Sequence, residues 1–254
     1  MNDPNGIASS CRTENAVAGL RLRFTETPAQ TYQRASMIRE QLEPRGIRAP
    51  RVLAAMGAVP RHLFVDSARQ AQAYTDNALP SLEGQTISQP FIVALMTQLL
   101  DLAPNHRVLE IGGGTGYQTA VLALLCAQVF SVERIAALGA AAGGRLTELG
   151  FDNITLKIDD GSVGWPENQP FDRILVAAGA PEAPAPLLAQ LAPAGILLMP
   201  VGRAKHQTLT AVTRTPHGFV RKEFVSCRFV PLLGRHGWSA ETYANETPKN
   251  PNNK

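Results

Sequence analysis

The apolar positions of this chain follow two periods, and the periods alternate. From about residue 93 onward, segments of helical spacing are separated by short, nearly unbroken apolar runs. "FIVALMTQLLDL" places Ile92, Leu95, Met96, Leu99 and Leu100 on one helical stripe. "RVLEIG", "QVFSVE", "NITLKID", "FDRILVAA" and "GILLMPVG" read as strands, and "YQTAVLALLCA", "RIAALGAAAGGRLTELG" and "PAPLLAQLA" between them as helices. Gly150 marks the end of the second helix, and Gly139, Gly143 and Gly144 inside it are expected to allow close packing on a sheet. Strands alternating with helices predict βαβ units and a mostly parallel sheet covered on both faces. The last two strands, "QTLTAVTRT" and "FVRKEFVSCRFVPLL", have no helix between them, which predicts an antiparallel edge. Residues 31–75 keep helical spacing, with breaks at Pro44, Gly46 and Pro60. Residues 1–30 lack a clear period and are expected to be a flexible extension, and 241–254 a disordered tail. The expectation is one α/β domain over 31–240, its helices and a polar loop in 31–92 and its sheet in 93–240.

Composition narrows the class. The chain has 254 residues, 44% of them hydrophobic, ample for a large core. Its net charge of +3 argues against a dedicated nucleic-acid or membrane surface. Arg34, Arg39, Arg45, Arg48, Arg51 and Arg61 read as solvated helix faces. Three widely spaced cysteines, Cys11, Cys126 and Cys227, form no CxxC pair, so neither a disulfide framework nor a zinc site is expected. With no signal peptide and no apolar run of about 18 residues, a cytoplasmic monomer is expected. His62, His206, His217 and His236 have no ligand spacing, so no metal is assigned. Asn5-Gly6 is a pair prone to deamidation.

The chemistry concentrates at "VLEIGGGTGYQ". A strand ends at Ile111, glycines follow at 112, 113, 114 and 116, and a helix starts near Tyr117. This is the turn at which open α/β sheets bind nucleotide-like ligands. The spacing of Gly112, Gly114 and Gly116 is not that of dinucleotide binders, and the loop lacks the Lys-Ser/Thr end of a P-loop. Glu133 ends the next strand, where a carboxylate can accept both ribose hydroxyls. Glu110, inside the first strand, is a candidate for an ammonium group. Asp160 and Gly161, after the third strand, are placed for an adenine amino group and a close backbone approach, though Asp-Gly is also an ordinary turn pair. Together these describe adenosine with a cationic tail, which is S-adenosyl-L-methionine.

In order along the chain stand "RGI", "VPRHLFV", "AYTDNALP", "GQTISQP", "VLEIGGGTGYQTAVLA", "SVERI", "DDG", "GWP", "PFDRILVAA", "PVG" and "RFVPL". With them the chain resembles the protein-L-isoaspartate O-methyltransferase family from about Met37 to Leu233. The resemblance implies a Rossmann-like class I methyltransferase fold, with S-adenosyl-L-methionine as methyl donor and S-adenosyl-L-homocysteine as product. The implied substrate is the free carboxylate of L-isoaspartyl residues, with D-aspartyl residues as a further class, in damaged proteins and peptides. Its methyl ester cyclises unaided to a succinimide, and hydrolysis partly restores aspartate.

The resemblance also implies that Thr86, Ile87 and Ser88 lie against the cofactor, with Ser88 as the active-site residue. Gln85 and Gln89 would shape the loop or meet the peptide, and Val230 and Leu232, on the "RFVPL" strand, would line the peptide site, as would Trp165. Ser88 at a helix start is equally suited to be an N-cap. Ser81-Leu82, "GGGTG" and Asp159 depart from the usual family pattern. A carboxyl methyltransferase dedicated to one peptide or small molecule stays open as an alternative, as does a non-catalytic binding module. A base-amino methyltransferase is disfavoured, because "VAAGAPEAP" stands where its Pro-Pro-aromatic motif would fall.

Overall fold

The computed structural model describes residues 11–17 and 20–246. Asn5-Gly6 and the end of the tail lie outside the described residues. The chain begins with an antiparallel hairpin of β1 (Cys11–Val17) and β2 (Leu20–Glu26). Helical segments follow, among them α1 (Pro28–Ser36), a π-helical turn (Met37–Leu42), α2 (Pro50–Ala58) and a 3-10 turn (Arg61–Phe64). The short strands β3 (Leu79–Pro80) and β4 (Thr86–Ile87) then pair with each other. The sheet domain runs α3 (Pro90–Leu99), β5 (Arg107–Ile111), α4 (Tyr117–Ala123), β6 (Gln128–Glu133), α5 (Ala136–Leu149), β7 (Ile154–Ile158), β8 (Phe171–Val176), α6 (Ala185–Ala189), β9 (Leu191–Arg203), β10 (His206–Thr215) and β11 (Gly218–Cys227). α7 (Ala240–Glu246) closes the described chain.

Seven strands form one sheet in the order β11-β10-β9-β8-β5-β6-β7. The five from β9 to β7 are parallel, and β10 and β11 add an antiparallel edge. Strand alternation sorts the side chains between two cores. Leu109 and Ile111 of β5 join Phe130, Val132, Ile174 and Met199 on one face. Val108 joins Val129, Leu175 and Leu198 on the other, under Ala120 and Val121 of α4. Each such leucine or isoleucine contributes about 1.5–3 kcal/mol by leaving water.

The α/β class, the parallel sheet and the antiparallel edge are as the periodicity predicts. Of the α5 glycines, Gly139 and Gly143 abut Ile158 and Leu156 of β7, where a Cβ would crowd them, while Gly144 faces open space.

The flexible extension expected over 1–30 needs correction over its described part. Leu22, Phe24 and Glu26 are buried while Arg23 and Thr25 face solvent, the period-2 pattern of a half-buried strand. Thr27 then starts α1 with a reciprocal capping box: its hydroxyl accepts from Gln30 N at 3.2 Å, and Gln30 Oε1 accepts from Thr27 N at 2.8 Å. The disordered tail is corrected over 241–246, which are helical, with Tyr243 packed edge-on to Trp238 at 5.8 Å. Arg34 and Arg61 are not solvated; both are buried. Among the described residues no helix is long and apolar enough to cross a membrane.

Candidate active site

Strand order reverses at β5, because β6 and β7 lie to one side of it and β8 and β9 to the other. A crevice opens at the carboxyl ends of the strands at such a point. Here it is a cavity of about 660 Å³, within the usual range for small-ligand sites, walled by Ile111, Gly112, Gly113, Gly114 and Glu133 on one side and Gln85 to Gln89 on the other.

The Gln85–Gln89 loop is held at both ends. Leu79 pairs with Ile87 and Pro80 with Thr86, Ser81 N donates to Gln85 O at 2.8 Å, and Ile87 is buried. Pro90 then opens α3 at a position where its missing N–H costs nothing. Gln89, not Ser88, is the N-cap residue, and its side chain does not cap the helix. Gln85, Thr86, Ile87, Ser88 and Gln89 all line the cavity. The stripe expected on α3 is wider than a single buried face, because Ile92, Val93 and Met96 also wall this cavity.

On the opposite wall, Gly112 (φ +85°) and Gly114 (φ +55°) take left-handed conformations that other residues adopt only with strain. Glu133 Oε2 accepts from Gly114 N and Oε1 from Ile135 N, each at 2.8 Å. Each carboxylate oxygen keeps a second lone pair, so Glu133 can still accept from a ribose. A wall of bare backbone beside a half-engaged carboxylate fits an adenosine-bearing ligand.

Three expected cofactor contacts, Glu110, Gly116 and Asp160, do not wall this cavity. Glu110 has 0% exposure, because alternation along β5 turns it away from Ile111 and beneath α4. Its Oε2 accepts from Thr119 Oγ1 at 2.5 Å and from Ser131 Oγ at 2.8 Å, directly under Gly113. It supports the loop and does not meet a ligand ammonium. Gly116 (φ +86°) is the left-handed residue before α4 and faces Ala142 and Leu146 of α5. Asp160 spends its carboxylate on local structure: Oδ1 accepts from Ser162 N and Oγ at 2.9 and 2.7 Å, and Oδ2 from Arg235 N at 2.7 Å. It is the cap of the short helical turn after β7, while Gly161 does reach the cavity.

Val230 and Leu232 line the cavity. Gly179 N donates to Val230 O and Leu232 N to Gly179 O, both at 2.8 Å, and Gln207 Oε1 accepts from Phe229 N at 2.8 Å. Trp165 is elsewhere, packed edge-on to Phe130 at 5.7 Å. Residues missed from the sequence include Gln118, the second residue of α4, and Arg45. Arg45 arrives from a distant segment, paired with Asp76 at 2.5 Å and stacked 3.5 Å over Phe91.

The family model for protein-L-isoaspartate(D-aspartate) O-methyltransferase (PCMT) matches residues 32–237. The chain belongs to this family. A protein-L-isoaspartate O-methyltransferase of Trichlorobacter lovleyi is 52% identical over 206 residues, covering 81% of this chain and 95% of that one. One of Syntrophus aciditrophicus is 52% identical over 210 residues, covering 82% and 96%. A solved protein-L-isoaspartate O-methyltransferase superposes with a TM-score of 0.73 at 29% identity, covering 80% of this chain and 67% of that one. A Plasmodium falciparum PCMT structure in complex with S-adenosyl-L-homocysteine gives 0.68 at 26%, covering 78% and 96%. The fold is the class I methyltransferase fold, and S-adenosyl-L-methionine is the methyl donor. The PCMT match begins after β2, so the hairpin lies outside it.

Burial shifts two groups beside this PCMT site in opposite directions. Burial pushes Glu110 up to about 7, against the pull of the Thr119 and Ser131 hydroxyls. Burial pushes His62 down to about 4. The folded state therefore holds the Glu110 proton more tightly than the unfolded chain, and stability from this group falls as pH rises from about 4.5 to about 7. For His62 the folded state favours the neutral ring, so stability rises with pH from about 4 to about 6.5. The two slopes oppose each other. Thermal melts of Glu110→Gln are expected to show a melting temperature that climbs between pH 4.5 and 6.5 more steeply than in the wild type. Parallel profiles would show that folding leaves the pKa of Glu110 unshifted.

Proposed function

We propose that this cavity transfers the methyl group of S-adenosyl-L-methionine to the free carboxylate of L-isoaspartyl, and also D-aspartyl, residues in damaged proteins and peptides, initiating repair through a succinimide. The observation that carries this is the wall opposite the glycine loop. It holds hydroxyls and carboxamides, and among the described residues no histidine, aspartate or lysine lines the cavity. Cys227, also in the wall, is held neutral by burial, its pKa raised to about 11. Among the described residues the one wall carboxylate is Glu133, each of whose oxygens is committed in part to a backbone N–H and which stands at the ribose end of the site.

A site without a free base suits a nucleophile that needs none. A substrate carboxylate, with an ordinary pKa of about 4, is already ionised at neutral pH. The methyl donor supplies an electrophilic methyl on a cationic sulfur; the oxygen–carbon bond forms as the carbon–sulfur bond breaks, its electron pair staying on sulfur. No proton moves. What remains for the protein is alignment and exclusion of competing water.

Ser88 is placed to donate a hydrogen bond that orients the carboxylate. Among the described residues its hydroxyl has no partner within the chain, and its backbone is anchored through its carbonyl. Gln85 and Gln89 flank it toward the peptide, and Val230 and Leu232 form the facing wall. The chain acts as a cytoplasmic monomer in this reading, and its small net charge supports the absence of a nucleic-acid partner.

The test uses methyl-labelled donor with matched isoaspartyl and aspartyl peptides. Base-labile label on the isoaspartyl peptide alone is expected. Ser88→Ala is expected to lower kcat/KM by about 10- to 100-fold with S-adenosyl-L-homocysteine affinity unchanged. An unaltered rate would remove Ser88 from the mechanism. Leu82, 54% exposed and two residues from rim residue Gly84, favours the alternative of a dedicated peptide substrate. Label on neither peptide, with donor binding intact, would select it.

A further inference from the structure

Behind the Gln85–Gln89 loop lies a buried polar cluster that the mechanism above leaves unused. Arg61 has 0% exposure, and among the described residues no carboxylate pairs with it. Its Nε donates to Ala73 O at 2.7 Å and its Nη2 to Ser88 O at 2.8 Å, while the guanidinium lies 4.8 Å from the centre of the Tyr117 ring. Burying an unpaired guanidinium is costly. What this one secures is the backbone of the active-site loop, tied to the residue that opens α4.

The segment carrying Arg61 is pinned in turn. Tyr74 follows Ala73, and its hydroxyl lies 2.8 Å from Nδ1 of His62, the neighbour of Arg61. The Arg34 guanidinium also acts electrostatically on the Tyr74 phenol, favouring its ionised form against the effect of burial. Arg34 forms a two-pronged pair with Glu26 at 2.5 and 2.7 Å, the two side chains only 5% and 1% exposed. Glu26 ends β2, outside the residues 32–237 that match the family, and Leu22 and Phe24 fix that strand in the core.

We propose that Arg61 is a positioning residue for Ser88, and that Glu26, supplied by a strand beyond the family-matched domain, holds the 61–74 segment in register through Arg34 and Tyr74. The hairpin is then a part of the methyl-transfer machinery and not an appendage. Loss of the Glu26 charge leaves Arg34 buried without its counter-ion. The strain passes to Tyr74 and His62, the adjoining carbonyl of Ala73 shifts, and Arg61 no longer places Ser88.

This inference rests on the methyl-transfer reading for its kinetic consequence but not for its structural one, so the test has two arms. In the first, hydrogen–deuterium exchange of the full chain follows the amides of Thr86 to Gln89 in the wild type, Glu26→Gln and Arg61→Lys. Both variants are expected to exchange about tenfold faster there, with the β5 and β6 amides unchanged. This arm needs no methyl acceptor, so it decides the positioning even if the peptide assay refutes the isoaspartyl substrate. In the second, Glu26→Gln is expected to lower kcat/KM for the isoaspartyl peptide about tenfold at unchanged S-adenosyl-L-homocysteine affinity. In a Ser88→Ala background the same substitution is expected to have little further effect, since the hydroxyl it positions is gone. A lowered melting temperature with wild-type loop exchange, or effects that simply add in the double variant, would overturn the proposal. Should Glu26→Gln fail to fold, Arg61→Lys carries the same expectations with the Glu26–Arg34 pair intact.

Discussion

Replacing Gly113 by alanine is expected to cost roughly 3 kcal/mol of stability and to abolish measurable S-adenosyl-L-homocysteine binding. The residue lies where the loop crosses the buried carboxylate beneath it. An added Cβ would overlap Ser131 Oγ and come within 3.6 Å of Thr119 Oγ1 and 3.7 Å of Glu110 Oε2. Ser131 has no room to yield, being fully buried with its hydroxyl committed to Glu110. Either the serine gives up that bond, leaving Glu110 with Thr119 alone, or the loop lifts into the cavity. The first outcome adds the loss of a hydrogen bond to a buried charge-bearing group to the cost of overpacking. The second fills the ligand's place. A fall of about 10 °C in Tm, read by calorimetry beside a binding titration, checks both. An alanine variant that melts and binds like the wild type would show that the loop is not braced against Ser131.

Glu133→Ala is expected to raise the dissociation constant for S-adenosyl-L-homocysteine by about 10- to 100-fold, since a hydrogen bond to a charged group contributes about 1.5–3 kcal/mol. Glu133 does two things from one position at the end of β6. It accepts from the backbone N–H of Gly114 and of Ile135, fixing the glycine loop and the entry to α5. Its remaining lone pairs face the cavity. Alanine removes both functions. Glu133→Gln separates them, because its amide oxygen can replace one acceptor while its NH₂ faces a donor. Glutamine is therefore expected to recover part of the stability and little of the affinity. Equal affinity for wild type and alanine variant, by titration calorimetry, would refute the ribose role.

Much of the fold was legible because both faces of the sheet are covered. Coverage on both faces produces the apolar runs "VLEI" and "RILV", and the helices between them carry their own period. The β2 hairpin strand was equally written in the alternation of Leu20, Leu22 and Phe24 with Arg21, Arg23 and Thr25. A charged residue, Glu26, occupies its last buried position, which breaks the apolar pattern of a half-buried strand. Arg34, in the helix that follows, makes that position tolerable by pairing with it.

The site divides in the same way. Gly112, Gly114, Gly161, Glu133 and the Gln85–Gln89 loop reach the cavity because a glycine turn, a strand end and a loop before a proline are local features that fix where a residue sits. The sequence by itself determined these, together with the family and its methyl donor. Tertiary structure alone decided which acidic residues are free to work. Glu110 is taken by Thr119 and Ser131, and Asp160 by Ser162 and Arg235, partners supplied in part by segments 21 and 75 residues away. Tertiary structure also decided that Arg61 is a buried brace and not a solvated charge, since a guanidinium is placed by carbonyls that only the folded chain brings to it.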